Sequence, residues 1–160
     1  MEQVPKYRAG FAPYITLGVV EGCTVNVSLF RHAFVLILLS LIGSFFIPAM
    51  VTPRLGLSAH TIGVLSGVLL IAVGTIWQHF SLSNAQGAWL KWSWLCSSYV
   101  NWLACIVGAF LGAGKMTPLA SAGQVGGSTV EALVSALFIS VGIASLIAVG
   151  LSLWGLRRAP

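Results

Sequence analysis

Four long apolar runs, 33–51, 61–80, 89–113 and 130–156, take up most of this chain and decide what it can fold into. Each is about as long as a helix needs to be to cross a hydrocarbon layer roughly 30 Å thick. In that layer every backbone N–H and C=O must be satisfied within the segment, which an α-helix does. With 160 residues in all, 58% of them hydrophobic and 7% charged, the runs leave no room for a soluble domain. The sequence therefore reads as all-α, an integral membrane four-helix bundle over residues 31–160. Residues 1–30 mix Pro5, Lys6, Arg8, Pro13, Glu21 and Asn26 with a short apolar piece and read as a leader, disordered or interfacial. Pro13 breaks that piece, and Glu21 stands where a signal-peptide cleavage region wants small residues.

The net charge of +5 reports topology and argues against a nucleic-acid partner, because the basic residues stand singly at helix ends and form no patch. Lys6, Arg8, Arg31, Lys91, Arg157 and Arg158 fall on one side of the four spans, and Arg54 and Lys115 on the other. The positive-inside rule then puts both termini in the cytoplasm and directs Arg54, His60, Lys115 and Glu131 outward, in a multi-pass protein of the cell inner membrane.

The stretch Pro53-Arg54-Leu55-Gly56-Leu57-Ser58-Ala59-His60 sets an imidazole at the mouth of the second span. Pro53 is expected to keep the chain extended and Ser58 to cap the helix, so that His60 lies in its first turn. Gly63, Gly67 and Gly74 share a face with His60 at 100° per residue and leave a groove without side chains. Two occupants suit it: a neighbouring helix, since Gly63 and Gly67 have GxxxG spacing, or a flat cofactor whose metal His60 ligates. His79 is about 28 Å further along the same helix, so the two imidazoles cannot share a metal within one chain. His32 and His79 read as interface residues.

Deeper candidates are few. In the third span Ser98, Asn101, Cys105, Gly108 and Gly112 recur on one face, and a mid-membrane amide such as Asn101 bonds either a neighbouring helix or a ligand. Gly108 and Gly112 also offer a second association face. Glu131, the acid outside the leader, sits near the start of the fourth span, where it either caps that helix or works in a site. The three cysteines form no framework, since Cys96 and Cys105 point to opposite faces of one helix and Cys23 stands apart. No CxxC, CxxCH or HExxH motif occurs.

The wording "IPAMVTPRLGLSAHTIGVLSGVLLIAVG", then "NWLA", then a Gly-rich loop into "VEAL" and a final "LWGLR", resembles the bacterial hydroxylaminobenzene mutases from about residue 34 to 158. That family is similar in turn to styrene oxide isomerase, a trimeric four-helix membrane enzyme holding haem b between subunits through one His. The resemblance implies a homotrimer in which His60 is the axial metal ligand, Gly63 and Gly67 make room for the porphyrin, and Asn101 faces the substrate. It also suggests Glu131 as proton donor or acceptor and Arg54 as partner of a haem propionate. Two departures stand out: the relatives commonly have Asn where this chain has Ser66, and the isomerase has Tyr about where this chain has Cys105.

The implied reaction converts hydroxylaminobenzene to 2-aminophenol by intramolecular hydroxyl transfer, with haem iron as Lewis acid. The chain carries no nucleotide-binding motif and no cysteine set for an iron–sulfur cluster, so the reaction should be redox-neutral. A small-molecule transporter would need a mid-membrane carboxylate, and Glu131 stands at a helix end. A diheme electron carrier would need paired histidines across the bundle. A non-catalytic haem-binding membrane protein is the other class to set against an isomerase.

Overall fold

Each long apolar run folds as one helix in the computed structural model, which describes residues 25–157. The elements are α1 (Val27–Ser44), a 3₁₀ turn (Ile47–Ala49), α2 (Pro53–Thr75), a second 3₁₀ turn (Trp77–His79), α3 (Asn84–Leu111) and α4 (Ser128–Leu156). All four helices are long and apolar enough to cross a membrane. Residues 1–24, most of the expected leader and Cys23 with it, lie outside the described residues, as does Arg158.

The helix ends show which local rules won. α1 begins at Val27, inside the expected leader, because the Asn26 side chain accepts from Leu29 N at 3.3 Å and caps it. α2 begins at Pro53, five residues before the expected cap at Ser58. Proline suits the first helical position, where its missing N–H is no loss, and Thr52 N and Oγ1 both donate instead to Ala109 O on α3. Ser58 merely bonds back to Arg54 O at 3.1 Å. His60 thus sits about two turns into α2, not in its first turn. α3 opens with a capping box from Ser83 and Gln86 and closes at Gly112, which adopts φ +69°.

α1 and α2 form an antiparallel hairpin that folds about Met50, and glycines on α2 set how closely they approach. A β-carbon at Gly63 would collide with the Ser40 side chain, one at Gly67 with Ile37 and, at 2.9 Å, with Ala33 O, and one at Gly74 would lie 2.8 Å from Phe30. In lipid no water is expelled when helices meet, so small residues gain stability by letting backbones close up. The adjoining strip of α2, with Leu55, Ala59, Leu70 and Val73 buried, lies toward α3. α4 runs along α3, tied by Trp94 Nε1 donating to Ser152 Oγ at 3.2 Å, and has no extended contact with α1 or α2. Three helices pack together and α4 leans on α3. Leu133, Ile139, Ile143, Leu146 and Leu153 stay exposed on it.

Candidate functional site

His60 is half-buried at the edge of the α2 strip that meets α1, on the side away from α3. Its Nδ1 lies 3.1 Å from the carbonyl oxygen of Ser40. A carbonyl can only accept, so Nδ1 carries a hydrogen, and in the neutral ring Nε2 then keeps its lone pair. Nε2 has no hydrogen-bond partner among the described residues. That is the state an imidazole needs to ligate a metal or accept a proton, with its other nitrogen anchored.

The groove beneath His60 is not free. Ser40, Ile37, Ala33 and Phe30 of α1 fill the space that Gly63, Gly67 and Gly74 leave, and Trp102 Cδ1 lies 2.8 Å from where a β-carbon on Gly63 would be. The space at Gly63 and Gly67, expected to make room for a porphyrin, is taken within this chain by α1. The GxxxG faces expected to join copies are likewise spent inside the chain. Gly108 packs against Leu55 and Val134, and Gly112 is a helix cap. His60, at the edge of the α1–α2 seam, is the residue here whose donor chemistry suits a metal-bearing cofactor.

Asn101 is half-buried, and its amide makes no hydrogen bond among the described residues. On α3 it shares a face with Trp94 and Cys105, between the strips that meet α2 and α4. His60 lies on the far edge of α2 from the strip that meets α3, so it points to a different side from Asn101. Trp102 against Gly63 puts Asn101 within about a turn of the depth of His60. The two residues share a level but not a side.

Glu131 has a different employment from the one expected. Buried at 6% exposure, it accepts from Gly114 N (2.9 Å) and Gly126 N (2.8 Å) on Oε1 and from Lys115 N (3.1 Å) on Oε2. Three amides from both ends of the α3–α4 loop converge on one carboxylate, which makes it a loop anchor. A carboxylate tied in this way is a weaker choice for proton transfer than a free one. Glu131→Ala should strand three donors and lower the melting temperature clearly, whereas Glu131→Gln keeps one acceptor oxygen and should retain most activity. Equal, complete loss of activity in both variants at unchanged stability would restore the proton role.

Arg54 lies in the first turn of α2 and is exposed. It lines a cleft of about 360 Å³ with Thr52, Ser121 and Gln124, and its guanidinium has no partner among the described residues. His32 and Tyr99 form a pair that the sequence did not reveal. Tyr99 OH donates to His32 O at 3.1 Å, His32 Nδ1 lies 3.3 Å from that hydroxyl, and the rings meet edge to face. His79 is exposed beside Gln78. Ser40, the partner of His60, was also missed, although a signal existed: the hairpin turns at Met50, so the residue ten positions past it meets the one ten before.

Together these features define a four-helix protein of membrane type with one tautomer-fixed imidazole on a seam and one unpartnered amide on a cleft. Comparison with known proteins gives the rest. The family model for styrene oxide isomerase matches residues 25–157. The chain belongs to the styrene oxide isomerase family and is an isomerase. It is 41% identical over 127 residues to hydroxylaminobenzene mutase HabB of Ectopseudomonas oleovorans, covering 78% of this chain and 77% of that one. It is 35% identical over 94 residues to hydroxylaminobenzene mutase HabA of the same organism, covering 58% of this chain and 70% of that one. No solved structure matches it significantly.

Proposed function

We propose that this chain converts hydroxylaminobenzene to 2-aminophenol by intramolecular hydroxyl transfer. It does so as a multi-pass protein of the cell inner membrane with both termini cytoplasmic. The likeness to the two mutases supports the reaction, and the four apolar helices with their asymmetric charge support the placement. The single observation that carries the site is the His60 imidazole, with Nδ1 held by Ser40 O and Nε2 left free.

His60 would hold haem b through Nε2, and Arg54, free and exposed near the same end of α2, would pair with a propionate. When bound, haem would supply Lewis-acid chemistry toward the N–O bond. Asn101 binds the substrate nitrogen, for which its amide has both a donor and an acceptor to offer. In the net change the N–O bond breaks, a C–O bond forms at the ortho carbon, and the proton lost from that carbon is balanced by one gained at nitrogen. No electrons enter or leave. The apolar flanks of the helices collect an oily aromatic substrate and keep bulk water from the ring.

Because His60 and Asn101 face different sides of one chain, a complete site needs Asn101 to come from a second copy, which favours a homo-oligomer and, by the family resemblance, a homotrimer. Turnover without NAD(P)H in ¹⁸O-labelled water tests the reaction. The product should carry no label, and labelled 2-aminophenol would mean that water attacks the ring and the transfer is not intramolecular.

A further inference from the structure

We propose that the Ser40 carbonyl is the orienting partner of His60, and that Gly63 is the positioning residue that brings it within reach. The use of the freed Nε2 for iron rests on the function proposed above, whereas the orientation itself does not. Ser40 lies in the last turn of α1, which ends at Ser44. Carbonyls at a helix C-terminus carry the negative end of the dipole and favour a donor. A carbonyl has two lone pairs, so helical bonding leaves one for Nδ1–H of His60, 3.1 Å away.

What sets that distance is the junction one turn further along α2. A β-carbon on Gly63 would overlap Ser40 Oγ and lie 2.8 Å from both Ser40 Cβ and Trp102 Cδ1, closer than real side chains pack. Neither neighbour yields easily. Ser40 Oγ is tied to Leu36 O at 2.8 Å, and Trp102 is wedged between both core clusters, its buried Nε1 without a partner. Even one methyl group at position 63 must therefore push α1 from α2, and the His60–Ser40 bond is the polar contact nearest that junction, the other, Asn26 N to Gly74 O, lying at the far end of the seam. Gly63 thus serves the imidazole and not a porphyrin. Ser40 acts through its backbone, so its side chain can change without loss.

The test uses haem-free full-length protein in lipid discs with ¹⁵N-labelled histidine, the His60 signals being assigned by their absence in His60→Ala. Wild type should show a protonated-type Nδ1 and an unprotonated-type Nε2. Gly63→Ala should draw the two shifts toward the average of both tautomers, while Ser40→Ala keeps the wild-type pair. A wild-type spectrum with the hydrogen on Nε2 would overturn the Ser40 assignment, and an unchanged pair in Gly63→Ala would overturn the role of Gly63. If Gly63→Ala does not fold, the swap Ser40→Gly with Gly63→Ala carries the test. It removes the Ser40 side chain that the new methyl would meet, leaves the approach to Trp102 and keeps the carbonyl, so the shifts should move back toward the wild-type pair, and no movement at all would sink the proposal. In reconstituted protein, haem affinity should fall about 10- to 100-fold in Gly63→Ala and recover in the swap. Failure of haem to bind any variant, wild type included, would count against the proposed cofactor and leave the tautomer result standing.

Discussion

His60→Ala should purify without a Soret band and convert hydroxylaminobenzene no faster than the uncatalysed background. The other two histidines should not share this outcome. His79 is exposed, with its ring beside the neighbouring Gln78, so His79→Ala should match wild type in absorbance and rate. His32→Ala loses the ring contact and one hydrogen bond to Tyr99 and should cost about 0.5–1.5 kcal/mol of stability while keeping the Soret band. The motive is structural: among the described histidines, His60 has Nδ1 anchored by a backbone carbonyl that can only accept. His60→Gly with added imidazole gives the converse measurement, since a small ligand in the vacated space should restore part of the absorbance. Full haem content in His60→Ala would remove the ligand assignment.

The sequence made the four helices legible because length and apolarity alone force them, and the ends were less legible because one residue supports two readings. Proline can keep the preceding chain extended or open a helix at its first position, and at Pro53 the second holds, with Thr52 reaching across to Ala109. Arg31 and His32 looked like a boundary because they are polar. Within α1, however, Arg31 is exposed and His32 is absorbed by Tyr99. The glycine face of α2 was visible as a face, but spacing cannot say whether the helix that fills it belongs to the same chain or to another. Glu131 needed still more distant information. Its bond to Gly126 is local to its own helix end, whereas Gly114 and Lys115 lie seventeen and sixteen residues back. A carboxylate at a helix N-terminus looks the same in sequence whether it faces a substrate or three amides.

Where copies of this chain meet is decided by the faces the fold leaves open, and a pair of glycine variants separates those from the faces it has closed. Gly67→Leu should prevent folding. Its β-carbon would meet Ile37, which can rotate, and Ala33 O at 2.9 Å, which cannot, so α1 has to leave α2 along the whole seam. Overpacking of this kind costs about 1–3 kcal/mol when side chains can adjust, and more against backbone. Gly142→Leu should leave the fold and its melting temperature untouched, because nothing stands within 4 Å of a β-carbon at Gly142. Gly142 lies midway along α4, whose exposed Ile139, Ile143 and Leu146 form an apolar face that lipid or a second copy can cover. Mass measurement in lipid discs distinguishes the two covers. If copies associate through α4, Gly142→Leu should shift the particle toward monomer while each chain stays folded; if lipid covers it, the mass should not change, and association has to use another face. A Gly67→Leu protein that folds and melts like wild type would refute the close α1–α2 seam on which the placement of His60 depends.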